Sequence, residues 1–230
     1  AIWLPGVLIG LPAALVMLQP DLGTALMIVA GGVTVMFLAG LPLRLFMAAG
    51  AAIAAIAPLA YFFLLRDYQR RRILTLIDPE ADPLGSSWNI IQSKIAIGSG
   101  GLHGKGWLAG TQSHLDFLPE SHTDFIFAVY SEEWGLLGNV VLVFLYTLLI
   151  GRGMMIAVAA QTMFSRLLAG AITLGFFTYA FINMGMVSGI LPVVGVPLPF
   201  MSYGGTALVT LFLGVGILMS IQTHRLRTRK

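Results

Sequence analysis

Long uncharged stretches constrain this chain more than any other feature. Apolar runs cover roughly 1–18, 22–41, 44–65, 126–151, 164–188 and 205–222. Each approaches or exceeds the ~20 residues a helix needs to cross the hydrocarbon core of a bilayer. With 57% hydrophobic and only 10% charged residues, against about 25% charged in soluble domains, the chain cannot clothe itself in polar groups. The expected fold is an all-α integral membrane protein of about six transmembrane helices. Gly and Pro within the runs (Pro12, Gly31, Gly32, Pro58, Gly175) suit membrane helices, where small residues permit close packing and neighbours satisfy the backbone.

The polar residues are concentrated in one place. Nine of the ten acidic residues lie between Asp67 and Glu133, and three of the four histidines lie there too. The expected division is three spans (1–65), a long segment (66–125), three spans (126–222) and a basic tail (223–230). Arg225, Arg227, Arg229 and Lys230 in the tail, with Arg44, Arg152 and Arg166 in short connections, place those ends on the cytoplasmic side. The long segment then faces outward, although it carries Arg66, Arg70, Arg71, Arg72, Lys94 and Lys105; long loops obey the charge rule weakly. The apolar beginning, without initiator Met or basic flank, reads as a span entered midway, as in a piece of a longer protein. Asp21, in Gln19-Pro20-Asp21-Leu22-Gly23-Thr24, reads as the cap of the following helix. The Pro-rich stretch 189–204 is apolar yet too irregular for a helix, and such backbone must be buried in protein or line a cavity.

The spans hold almost no ionisable groups, and Asn183 and hydroxyls are their main polar residues. This weighs against an ion-driven transporter, which needs charges at mid-membrane depth. There are no cysteines, so disulfides and thiolate metal sites are excluded. His103, His114 and His122 lack metal-ligand spacing, and no metal site is expected. Gly98-Ser99-Gly100-Gly101-Leu102-His103-Gly104-Lys105-Gly106 resembles a phosphate loop but fails its spacing; it reads as a flexible turn or a phosphate cradle.

The segment Phe117-Leu118-Pro119-Glu120-Ser121-His122-Thr123-Asp124-Phe125 runs directly into an apolar helix. Asp124 there sits at the boundary of water and lipid. Partial desolvation would raise its pKa and make it a proton acceptor near neutral pH; alternatively Thr123 or Asp124 merely caps the helix. On a continuous helix Glu132 lies about 80° from Asp124 and Glu133 opposite it. Both also read as interfacial charges beside a Trp134 anchor.

Several of these motifs resemble the SEDS family of peptidoglycan glycosyltransferases: Gln19 to Thr24, Asp78 to Gly85, Gln92 to Gly101, Phe117 to Phe127, and Pro199-Phe200-Met201-Ser202-Tyr203-Gly204-Gly205. The stretch Gly185 to Pro197 is similar to the rod-shape branch rather than the division branch. The resemblance covers nearly the whole chain. It implies a ten-helix fold of which four N-terminal helices are missing, so that this chain alone would be inactive. It implies polymerisation of lipid II on the outer face of the bacterial cytoplasmic membrane during cell elongation. It also implies partnership with a class B penicillin-binding protein transpeptidase in the elongation machinery, and no nucleic acid. The family's essential aspartate matches Asp124 in His122-Thr123-Asp124-Phe125, with the role of general base. Lys94, Lys105, Arg71, Glu120 and His122 are the expected substrate contacts, with a divalent cation such as Mg or Mn as an option for the leaving pyrophosphate. The arginines of the basic cluster equally suit lipid headgroups. The other readings are a lipid II flippase gated by the long segment, and a non-catalytic scaffold.

Overall fold

The structure, a computed structural model, describes residues 3–19, 21–63, 65, 67–78, 87–114, 118 and 120–223, without the side chains of Ala60, Tyr68, Arg71, Ser113 and His114. All regular elements among the described residues are helices: α1 (Trp3–Leu18), α2 (Leu22–Leu38), α3 (Leu43–Phe63), α4 (Asp67–Ile77), α5 (Trp88–Ser99), α6 (Thr111–His114), α7 (Ile126–Val158), α8 (Met163–Val187) and α9 (Gly205–Thr223). Much of the Asp78-to-Gly85 motif, Arg66 and nearly all of the basic tail lie outside the described residues.

Six apolar helices stand where six spans are expected. Three of them, α7, α8 and α9, are long and apolar enough to cross a membrane, and α1, α2 and Leu43–Leu59 of α3 are shorter apolar helices. At 1.5 Å per residue, the 16 residues of α1 reach ~24 Å, a little less than a typical hydrocarbon core. Small residues set the helix contacts. A Cβ on Gly32 of α2 would collide with Ile9 of α1, and one on Gly153 of α7 with Thr173 of α8. α3 stands apart: none of its described side chains is buried, and Phe46 meets Phe37 of α2 edge-on, with ring centroids 6.0 Å apart.

The described residues of the long segment include the helices α4, α5 and α6. Its helix α5 buries Ile90, Ser93 and Ala96 and packs on α7 and α8. The main apolar core lies at that end of the bundle, where Phe125, Ala128, Met186, Val187, Val196 and Leu198 are nearly inaccessible. Pro-rich residues 194–198 form part of it, as broken backbone at membrane depth requires.

Helix α7 is interrupted at Gly135, whose φ of 63° and ψ of −160° are not helical. Its first half-helix, 126–134, is stitched to the second by the Gly-rich turn. Lys105 and Gly106 N–H donate to the carbonyls of Glu132 and Glu133 (both 3.0 Å). Leu136 and Leu137 N–H donate to the carbonyls of Gly101 and Leu102 (2.9 and 3.1 Å). The orphan groups of the break are thus satisfied by another segment. Gly104, at φ 78°, has no room for a Cβ against the Glu133 carbonyl. The turn is therefore a splice for α7: the N–H groups of Gly104, Lys105 and Gly106 serve backbone carbonyls and do not form a phosphate cradle.

Candidate functional site

The turn 120–125 is built on Glu120, which adopts φ 58°. Its carbonyl accepts from the N–H groups of Thr123 (3.1 Å) and Phe125 (3.3 Å) and from the Thr123 hydroxyl (3.2 Å). This geometry excludes one of the two readings of Asp124, the cap. The N-cap of α7 is Phe125, with no side-chain cap hydrogen bond, so neither Thr123 nor Asp124 caps the helix. Among the described residues no donor reaches the Asp124 carboxylate. Burial, followed by the nearby Glu120 charge, pushes its pKa above the ordinary carboxylate value, the direction a general base needs.

Three consecutive carbonyls of this turn are gripped from behind. The His122 carbonyl accepts from Tyr203 N–H (2.8 Å), the Thr123 carbonyl from the Ser202 hydroxyl (2.7 Å), and the Asp124 carbonyl from the Asn183 amide (2.8 Å). Ser202 also accepts from Leu198 N–H (2.7 Å), and Asn183 also donates to the Val196 carbonyl (2.6 Å). The Tyr146 hydroxyl of α7 fixes the same loop by donating to the Pro199 carbonyl (2.6 Å). Motifs separated by more than a hundred residues are drawn together here. Gly23, in the first turn of α2, lies so close to the Val194 carbonyl that a Cβ would collide with it. Asp21 caps α2 through Thr24 N–H (3.0 Å), as expected. That bonding to Thr24 is the main cause of its lowered pKa.

Behind the turn lies a cavity of about 430 Å³ between α2, α8, α9 and the Pro-rich loop, walled by Met27, Ile172, Phe176, Tyr179, Leu198 and Leu211. It reaches Gly195 and Ser202. A Cβ on Gly195 would stand 3.2 Å from Asp124 Oδ2, so the carboxylate lies against the loop that walls the cavity.

The other expected contacts are dispersed. His122 and Glu120 are on the Asp124 turn, both exposed. Lys94 is exposed on α5, its stem crossing Gly189 at the end of α8. The backbone of Arg71 is in α4, and its side chain lies outside the described residues. Lys105 is already engaged: its ammonium donates to Glu132 Oε1 (2.6 Å) and to the Thr111 hydroxyl (2.9 Å). Glu132 shares no partner with Asp124. It is wholly buried and also accepts from Thr111 N–H (2.9 Å), the Thr111 hydroxyl (3.0 Å) and Gln112 N–H (3.2 Å).

Asn183, Ser202, Tyr203 and Gly195 receive no role from the sequence, although signals for them exist. Asn183 is a lone amide in an apolar helix, and the other three sit in the irregular Pro-rich stretch between α8 and α9. Among the described residues no three His, Asp or Glu side chains are grouped to hold a metal ion.

A sequence model of the cell cycle protein family FtsW/RodA/SpoVE matches residues 1–227. The peptidoglycan glycosyltransferase MrdB of Escherichia coli K12 is 61% identical over 219 residues, 95% of this chain and 59% of the relative. A probable peptidoglycan glycosyltransferase FtsW of Trichlorobacter lovleyi is 42% identical over 207 residues, covering 90% of this chain and 54% of the relative. A solved structure described as "Structural coordination of polymerization and crosslinking by a peptidoglycan synthase complex" superposes with a TM-score of 0.81 at 33% identity, covering 97% of this chain and 62% of that one. The chain thus spans a little over half the length of the curated relatives it matches. With its helical membrane architecture, its motifs and these matches together, the chain belongs to the FtsW/RodA/SpoVE family of cell cycle proteins, the SEDS family.

Proposed function

We propose that the whole protein is a peptidoglycan glycosyltransferase of the cell-elongation type that polymerises lipid II, with Asp124 as its general base. The observation that carries this reading is the Asp124 carboxylate itself. It is half-buried, uncapped, raised in pKa by burial, and backed by an apolar cavity. In the proposed reaction Asp124 takes the proton from the C4 hydroxyl of the acceptor sugar. The freed oxygen attacks the anomeric carbon of the donor with inversion, and polyprenyl pyrophosphate leaves. An apolar cavity next to a polar base suits a substrate with a sugar head and an isoprenoid tail.

The leaving pyrophosphate carries developing negative charge, which nearby cations would stabilise. Lys94, exposed on α5, and Arg71 are proposed for this role, and His122 and Glu120 for contacts to the sugar. Lys105 is the weaker assignment, because an incoming phosphate must compete with Glu132 at 2.6 Å. The described residues do not fit a divalent cation held by the protein, so no step is drawn through one.

The proposed setting is the bacterial cytoplasmic membrane. Segment 66–125 faces outward, the basic tail faces inward, and a class B penicillin-binding protein transpeptidase is the partner. The structural relative is a peptidoglycan synthase complex in which polymerization and crosslinking are coordinated, and this supports the partnership. A flippase and a scaffold are the competing functions. One experiment separates all three: full-length protein with its partner in liposomes, supplied with fluorescent lipid II. Glycan strands support the proposal. Movement of lipid II between leaflets without strands supports a flippase, and stimulation of the transpeptidase alone supports a scaffold.

A further inference from the structure

We propose that Asn183 and Gly195 are positioning residues for Asp124, one tying its backbone to the Pro-rich loop and the other leaving room there for its carboxylate. This rests on the reading of Asp124 as the base.

Asn183 lies in α8, 59 residues from Asp124, and is completely inaccessible. Both hydrogens of its amide are committed, one to the Asp124 carbonyl at 2.8 Å and one to the Val196 carbonyl at 2.6 Å. Its Oδ1 has no partner among the described residues. Burying an unpaired acceptor is unfavourable, so the amide is a poor choice for simple filling of an apolar helix. What the side chain does well is join two chain segments by their carbonyls. Of the three carbonyls gripped in this turn, Asn183 takes the one belonging to the aspartate.

Gly195 precedes the other tied residue. It has φ 73°, a conformation that favours glycine, and its missing Cβ would stand 3.2 Å from Asp124 Oδ2. The two features act on one group. Asn183 fixes how near Asp124 and residues 195–196 approach, and Gly195 lets the carboxylate occupy the space that results. A general base works only within hydrogen-bond reach of its proton, and displacement by about 1 Å costs roughly 10²-fold in rate.

The test uses the full-length protein with its partner in lipid, measuring polymerisation over a range of lipid II concentrations. Asn183→Leu, Gly195→Ala, the double variant and Asp124→Asn are compared at equal amounts of folded protein, determined by thermal unfolding. Each single variant is expected to lose about 10- to 100-fold in kcat, with KM within about twofold of wild type. Because both act through one carboxylate, the double variant should fall little further than the worse single one. The inference is overturned by unchanged kcat, by an effect confined to KM, by losses that multiply, or by normal activity per folded molecule. Asp124→Asn separates the two levels. If it polymerises normally, the reading of the aspartate as base is wrong and positioning falls with it. If it is inactive while Asn183→Leu and Gly195→Ala keep wild-type kcat, only the positioning role is wrong.

Discussion

Replacing Lys105 by Met should loosen the splice that holds α7 together. Lys105 supplies the shortest of the bonds to Glu132, at 2.6 Å. Removing one partner of a buried ion pair costs about 3–5 kcal/mol. Two considerations reduce that figure. The Lys105 side chain is 28% exposed, and Glu132 keeps the Thr111 N–H, the Thr111 hydroxyl and Gln112 N–H. We expect about 2 kcal/mol. Glu132→Gln keeps the shape but removes the charge. With charge-assisted bonds worth about 1 kcal/mol more than neutral ones, three short bonds give about 3 kcal/mol. The assay is hydrogen exchange at the Thr111 and Gln112 amides, which donate directly to Glu132. At 1.4 kcal/mol per tenfold, their exchange should rise about 30-fold in Lys105→Met and about 100-fold in Glu132→Gln, while α8 amides are unchanged. The double variant should resemble Glu132→Gln alone, because without the carboxylate charge the ammonium has little to bind. Exchange that does not change, or losses that simply add, would refute this role of the Lys105–Glu132 pair.

Substitutions elsewhere in the described residues have further expected outcomes. Burial and then the Glu120 charge raise the Asp124 pKa, so the acid limb of the polymerisation rate should lie above the pKa of an ordinary aspartate. Glu120→Gln removes one raising influence, so a pH–rate series should show that limb moving to lower pH. Gly104→Ala forces a side chain into φ 78° and against the Glu133 carbonyl; it should cost about 2 kcal/mol or more in thermal unfolding. Gly98→Ala, with no atom near its Cβ, should be neutral to slightly stabilising. Tyr146→Phe leaves the Pro199 carbonyl without its 2.6 Å partner and should cost about 1–2 kcal/mol by the same measurement.

The apolar helices were legible because a bilayer imposes length and composition on every span. Their ends agree with the apolar runs to within a few residues, apart from α7, which continues to Val158. The irregular stretch 189–204 was legible as buried or cavity-lining, since Pro and Gly in an apolar setting permit little else. The break at Gly135 was not, because glycine is ordinary in a membrane helix. What makes this glycine a break is the turn 101–106 inserted beside it, a contact with no local signal. The buried pairing of Glu132 was not legible for the same reason. Its face on the helix follows from periodicity, but its partner Lys105 is 27 residues away. Asp124 was legible as a partly desolvated carboxylate, and its freedom from capping depends on the left-handed Glu120. The grip of Asn183, Ser202 and Tyr203 on residues 122–124 joins segments 59 to 81 positions apart, and no pattern within a single sequence reports such pairs.

The central claim is that Asp124 takes the acceptor's proton. The most direct measurement is polymerisation of lipid II by the full-length protein with its partner, comparing wild type with Asp124→Asn at matched expression. Loss of glycan strands is expected while the complex still assembles. Polymer formed at the wild-type rate by Asp124→Asn would contradict it, and would move transport or scaffolding ahead of glycosyl transfer.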